Sequence, residues 1–125
     1  ESSLLEIMLA VSKGTLAETE VKFSQKSACC VILASKGYPQ KYDKGFPITL
    51  TALESDERIY IAGAAEKDGK LLTSGGRVLG AAAVADDLPA AVERAYALAD
   101  RVHFDNAYCR RDVGQRAMKA LEEKK

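Results

Sequence analysis

An unbroken apolar run, Ala28-Cys29-Cys30-Val31-Ile32-Leu33-Ala34, leaves this chain few architectures. It is short, it carries the β-branched Val31 and Ile32, and it exits into Ser35-Lys36-Gly37-Tyr38-Pro39, where Gly and Pro break regular structure. These features read as a strand, and the continuity of the run predicts burial on both faces. In such a strand Cys29 and Cys30 point to opposite faces. A strand of this kind needs strand neighbours and a covering layer.

The rest of the sequence supplies both. Arg77 to Val84 is a second apolar stretch whose small residues allow close packing, and it reads as a central strand. Ile59 to Ala64 and Leu71-Leu72-Thr73 flank Asp68-Gly69, and an Asp-Gly pair between apolar runs predicts a hairpin. Val21 and Phe23 alternate with polar neighbours as a short strand, and Pro47, Ile48 and Leu50 suit a short edge strand.

Helices bracket these strands. Ser2 and Ser3 precede an apolar stripe of Leu4, Leu5, Met8, Leu9 and Val11 that Gly14 ends, which predicts a helix over 3–13. A polar stretch, Lys13 to Glu20, separates it from the strands, as suits a helix belonging to a different domain. Asp86 or Asp87 caps a second helix with Pro89 in its first turn and Leu88, Val92, Ala95, Ala99 and Val102 at helical spacing. Asp112 with Gln115 resembles a capping box for a last helix carrying Ala117, Met118 and Leu121, whose tail, Glu122 to Lys125, frays. Helix, strands, then helices predict an α+β domain.

Composition excludes several classes of function. The 125 residues hold 18 basic and 18 acidic side chains, so no bulk field favours nucleic acid. No apolar run reaches the roughly 18 to 20 residues that span a bilayer, and the N-terminus lacks the order of a signal peptide, so the default address is cytoplasmic. Three cysteines without a pairing pattern read as reduced. Residue 1 is Glu, not Met, which reads as a processed product or a piece of a longer chain.

Chemistry-bearing residues are few. The sequence holds one His and no Cys-x-x-Cys, His-Glu-x-x-His, Gly-x-Ser-x-Gly or Walker loop, so no catalytic residue and no metal ligand is assigned. His103, just past the second helix, reads as a residue bonding a free helix carbonyl. Gly75-Gly76 before Arg77 suits a phosphate cradle, with backbone N–H groups approaching an anion on which a guanidinium closes. The same residues also fit an ordinary glycine turn beside a solvated arginine. Lys36, after the buried strand, offers a second cation on a positioned loop, or simply an exposed lysine. Arg110 and Arg111 form a basic pair beside Asp112.

Three segments together resemble one family. They are Val31 to Pro39 with Tyr42-Asp43-Lys44-Gly45, Asp68-Gly69-Lys70 through Thr73-Ser74-Gly75-Gly76-Arg77-Val78-Leu79-Gly80, and Phe104 through Tyr108-Cys109-Arg110-Arg111-Asp112-Val113-Gly114. Their order and spacing resemble phosphoribosylamine-glycine ligase (glycinamide ribonucleotide synthetase). The resemblance covers the last third or so of that family's usual chain. It implies an ATP-grasp ligase of purine (IMP) biosynthesis that uses glycine, 5-phosphoribosylamine and ATP with magnesium or manganese, and a fragment that is inactive alone and holds no cofactor itself.

By the same resemblance, residues 1–14 end an ATP-grasp domain and residues 15–125 form the C-terminal domain. That domain is a small β-rich unit, a rudimentary hybrid motif with a barrel-sandwich character, which closes one side of the active-site cleft beside the missing N-terminal and ATP-grasp domains. Gly75, Gly76, Arg77 and Lys36 become the expected substrate-phosphate ligands. One departure stands out: Tyr60-Ile61-Ala62-Gly63-Ala64 lies where the family usually shows aromatic-His-Ala-Gly-Thr. The alternative reading is a free-standing, non-catalytic module that binds a phosphorylated sugar or docks a partner domain.

Overall fold

The computed structural model describes residues 1–123, so Lys124 and Lys125 of the expected frayed tail lie outside the described residues. The chain runs through helix α1 (Leu4–Lys13), strands β1 (Ser27–Ser35), β2 (Glu57–Ile61), β3 (Ala64–Lys67), β4 (Lys70–Thr73) and β5 (Arg77–Ala85), helix α2 (Leu88–Asp100), strand β6 (Ala107–Tyr108) and helix α3 (Gln115–Glu122). β2, β5, β1 and β6, in that spatial order, form an antiparallel sheet, and β3 and β4 form a separate hairpin. The α+β expectation is borne out.

The core lies between one face of the sheet and α2. In the β1–β5 register Cys29 faces Ala83, Val31 faces Ala81 and Leu33 faces Leu79. These residues join Ala91, Ala95, Leu98 and Ala99 of α2 in one buried cluster. Alanine on both layers brings helix axis and sheet close together, the arrangement that the small residues of β5 permit. Asp87 caps α2 by accepting a hydrogen bond from the Ala90 N–H at 2.8 Å, and Pro89 sits in the first turn.

Burial of β1 on both faces holds only over Leu33–Ser35; upstream it alternates, with Cys29 and Val31 buried and Cys30 and Ile32 exposed. A single helix layer covers a single face, and an apolar run does not say which face has a cover. β2 ends at Ile61, short of the expected Ala64, because the chain turns through Ala62-Gly63 into the hairpin. The turn is as expected, Asp68 and Gly69 both having positive φ, 52° and 71°, as a two-residue primed turn requires, but its first arm is Ala64–Lys67, while most of the expected Ile59–Ala64 arm pairs with β5 instead.

Two expected strands are not formed. Val21 and Phe23 run in irregular chain tied to the N-terminus by the Lys22 N–H donating to Ser2 Oγ at 2.7 Å, and Phe23 is exposed. Pro47 and Thr49 make only isolated bridges, to Leu72 and His103, since a proline cannot extend a ladder. α1 is capped as expected, by Ser3 at its start and left-handed Gly14 at its end, yet it buries only Ala10.

Candidate functional site

Three backbone segments meet where β4 turns into β5. The Gly63 N–H donates to Arg77 O at 2.8 Å, and Gly63 O accepts from Ser74 N–H at 2.8 Å and Gly75 N–H at 2.9 Å. A Cβ on Gly63 would lie 2.5 Å from Arg77 O, and one on Gly75 would lie 2.9 Å from Gly63 Cα. The crossing therefore requires glycine on both sides. Because the Gly75 amide is engaged with Gly63, the charged donor of this segment is Arg77.

The end of β1 latches the same turn from its other side. The Ser35 N–H donates to Gly76 O at 2.8 Å and the Ser35 hydroxyl donates to Gly75 O at 3.1 Å, with Ser35 fully buried. Three residues on, the Tyr38 ring lies against Gly76 so closely that a Cβ there would overlap it. Tyr38 meets the Tyr42 ring edge-on at 5.9 Å between centroids.

Arg77 and Tyr38 line two adjoining cavities on the open face of the sheet. One, of about 450 Å³, is completed by residues that include Tyr60, Ala62 and Gly80; the other, of about 330 Å³, by Ala34, Tyr108 and Arg110 among others. Cys30 and Ile32 belong to both. Lys36 borders neither cavity; its N–H donates to Asn106 O at 2.8 Å. The ion pairs among the described residues leave out both Arg77 and Lys36. Desolvation pushes the buried Cys29 thiol up from its ordinary value, and partial desolvation does the same for the more exposed Cys30, away from thiolate chemistry.

The C-terminal segment is pinned by its own charges. Arg110 grips Asp112 with two bonds, Nε to Oδ1 at 2.8 Å and Nη2 to Oδ2 at 2.6 Å, and this grip holds the Asp112 carboxyl below its usual value. Asp112 is thus a partner for Arg110 and not the expected helix cap; α3 starts from Gly114, with no capping side chain. Arg111 grips Asp100 and lies over the Tyr96 ring. Tyr96, which no sequence motif singles out, holds the segment to α2: its hydroxyl donates to Arg110 O at 2.8 Å and accepts from the Val113 N–H at 3.0 Å. His103, expected to cap a helix carbonyl through its ring, instead exchanges backbone hydrogen bonds with Thr49.

Among the described residues no three His, Cys, Asp or Glu side chains come together so as to hold a metal ion, and no helix is long and apolar enough to cross a membrane.

Residues 28–116, from β1 to the first turn of α3, match the family model described as phosphoribosylglycinamide synthetase, C domain. The chain belongs to this synthetase C-domain family. The phosphoribosylamine-glycine ligase of Agrobacterium fabrum is 45% identical over 119 residues, which is 94% of this chain and 28% of that protein. A bifunctional purine biosynthetic protein of Schizosaccharomyces pombe is 40% identical over 119 residues, 94% of this chain and 15% of that one. The crystal structure of phosphoribosylamine-glycine ligase from Thermotoga maritima matches with a TM-score of 0.69 at 37% identity, over 86% of this chain and 27% of that one. The family that the three motif segments resemble is thereby borne out, and the chain spans little more than a quarter of the ligases that it matches. In this synthetase C domain the family match begins after α1.

Proposed function

We propose that this chain is the C-terminal domain of a cytoplasmic phosphoribosylamine-glycine ligase, an ATP-grasp enzyme that joins glycine to 5-phosphoribosylamine in purine synthesis. The observation that carries the proposal is a 45% identical match to such a ligase that takes in 94% of this chain and only 28% of the relative. The reaction needs an activated carboxylate, because a free carboxylate is a poor electrophile until an anionic leaving group is installed. ATP supplies that activation, and magnesium or manganese supplies charge stabilisation for the transferring phosphoryl. Among the described residues no cluster of His, Cys, Asp or Glu suits a metal ion; on this reading ATP and the metal are bound by the ligase's other domains, and the chain alone is inactive.

The domain's own contribution is substrate binding and cleft closure. Arg77 binds the phosphate of the ribosyl substrate with its guanidinium, on a turn that Gly75 allows to lie close to neighbouring backbone and Gly76 to lie against the Tyr38 ring. Lys36, on the adjoining loop, adds positive charge to the same region. The open face of the sheet closes one side of the cleft. Residues 1–14 are the end of the ATP-grasp domain and 15–125 the C-terminal domain, a division supported by α1, which buries only Ala10.

The test is Arg77→Ala in the full-length protein. Loss of a charge-assisted phosphate contact should weaken use of phosphoribosylamine by about 1.5 to 3 kcal/mol in kcat/KM. Unchanged kinetics remove Arg77 from the site. Tight, saturable binding of glycinamide ribonucleotide to the isolated chain would instead favour a free-standing phosphosugar-binding module.

A further inference from the structure

The reading of Arg77 as a phosphate ligand leaves open what aims it. Arginine has a long stem with several rotatable bonds, and holding its guanidinium at one place costs rotamer entropy unless neighbours restrict it. Arg77 is exposed and stands outside the ion pairs of the described residues, so no carboxylate restrains it. Yet the backbone around it is held by several hydrogen bonds. Its carbonyl accepts from the Gly63 N–H at 2.8 Å, and the two preceding carbonyls are both taken by Ser35.

The remaining side of the turn is covered by Tyr38. Its ring occupies the space that a side chain on Gly76 would fill, immediately before Arg77, and it lines both cavities that Arg77 lines. The ring is held in turn. Its N–H donates to Ser35 O at 3.0 Å, and Tyr42 braces it edge-on. Gly37, at φ 99°, passes so close to Lys41 O that a side chain there would clash.

We infer that Tyr38 is a positioning residue for Arg77: its ring, seated on Gly76, walls the shared cavity and confines the guanidinium to the side where the substrate phosphate binds. The flat ring is what matters, since among the described residues no hydrogen bond involves the Tyr38 hydroxyl and the seat on Gly76 fits a plane. The inference rests on the phosphate-binding reading of Arg77.

The test measures the affinity of the full-length protein for glycinamide ribonucleotide by calorimetry, together with KM and kcat for each substrate. Arg77→Ala should weaken binding by about ten- to a hundredfold. Tyr38→Leu, which keeps apolar cover but not the plane, should weaken it by about tenfold, as misplacement of a binding group does, and leave KM for ATP and glycine unmoved. Tyr38→Phe should restore binding, and Tyr38→Leu combined with Arg77→Ala should be no weaker than Arg77→Ala alone. If Arg77→Ala weakens binding while Tyr38→Leu matches Tyr38→Phe, the positioning role is overturned and the phosphate reading survives. If the two losses multiply, Tyr38 acts independently of Arg77 and the inference fails. If Arg77→Ala changes nothing, the phosphate reading falls and takes this inference with it.

Discussion

Arg101, at the C-terminal end of α2, reaches across to the carboxylate of Glu57 at the start of β2, through Nη2 to Oε2. Glu57 is buried, 4% exposed, and the same carboxylate oxygen accepts the Glu54 N–H at 3.0 Å. The pair ties the edge strand of the sheet to the helix that covers it.

Glu57→Ala should therefore destabilise the fold by about 1.5 to 3 kcal/mol, the range for hydrogen bonds to a charged group, measured by urea unfolding. The Glu54 amide bond, then Arg101, hold the Glu57 carboxyl below its ordinary value of 4.5. A lowered carboxyl stabilises the fold above its unfolded value, and that stability is lost as pH falls through the folded value. Unfolding midpoints should thus drop more steeply below about pH 4.5 for the native chain than for Glu57→Gln. Parallel curves would show that the pair carries no proton linkage.

Gly63→Ala and Gly69→Ala separate two reasons for a glycine. At Gly63 a Cβ would meet Arg77 O at 2.5 Å and Gly75 Cα at 2.8 Å, both backbone, so the cost should sit at or above the upper end of the usual 1 to 3 kcal/mol for overpacking. At Gly69 a Cβ meets open space and only the left-handed backbone, φ 71°, opposes it, for about 1 to 2 kcal/mol. Thermal unfolding of both variants should rank Gly63→Ala as the worse, and the opposite order would contradict the crossing.

Tyr96→Phe removes a hydroxyl that bridges Arg110 O and the Val113 N–H. About 1 kcal/mol should be lost. Amide exchange at Val113 should rise while exchange in β1 and β5 stays as it was. Equal protection in both proteins would mean that Arg111 on Asp100 suffices to hold the segment.

The exposed apolar face of α1, with Leu4 70%, Leu5 67% and Met8 61% exposed, should drive self-association of the isolated chain. Leu5→Glu combined with Met8→Glu should shift sedimentation toward monomer. A wild-type chain that is already monomeric would leave that face without an associating role.

Much of the architecture could be read from local chemistry. The Asp68-Gly69 turn, the Asp87 cap with Pro89, and the Ser3 and Gly14 ends of α1 each rest on a residue whose own backbone or side chain does the work, so a short window of sequence suffices. Phe23 and Asp112 misled for the complementary reason. A strand needs an edge to pair with, and a cap residue can be captured by a nearby arginine, and neither condition is visible within the window.

The same division applies to the candidate site. The residue types of Gly75, Gly76, Arg77 and Lys36 stand out in the sequence, because glycine pairs and cations are recognisable singly. That Gly75 meets Gly63, that Ser35 latches the turn, and that Tyr38 rather than Lys36 shares a cavity with Arg77 follow only from the folded chain. Those contacts join residues far apart along the chain, and the antiparallel register of β1 on β5 is what brings them together.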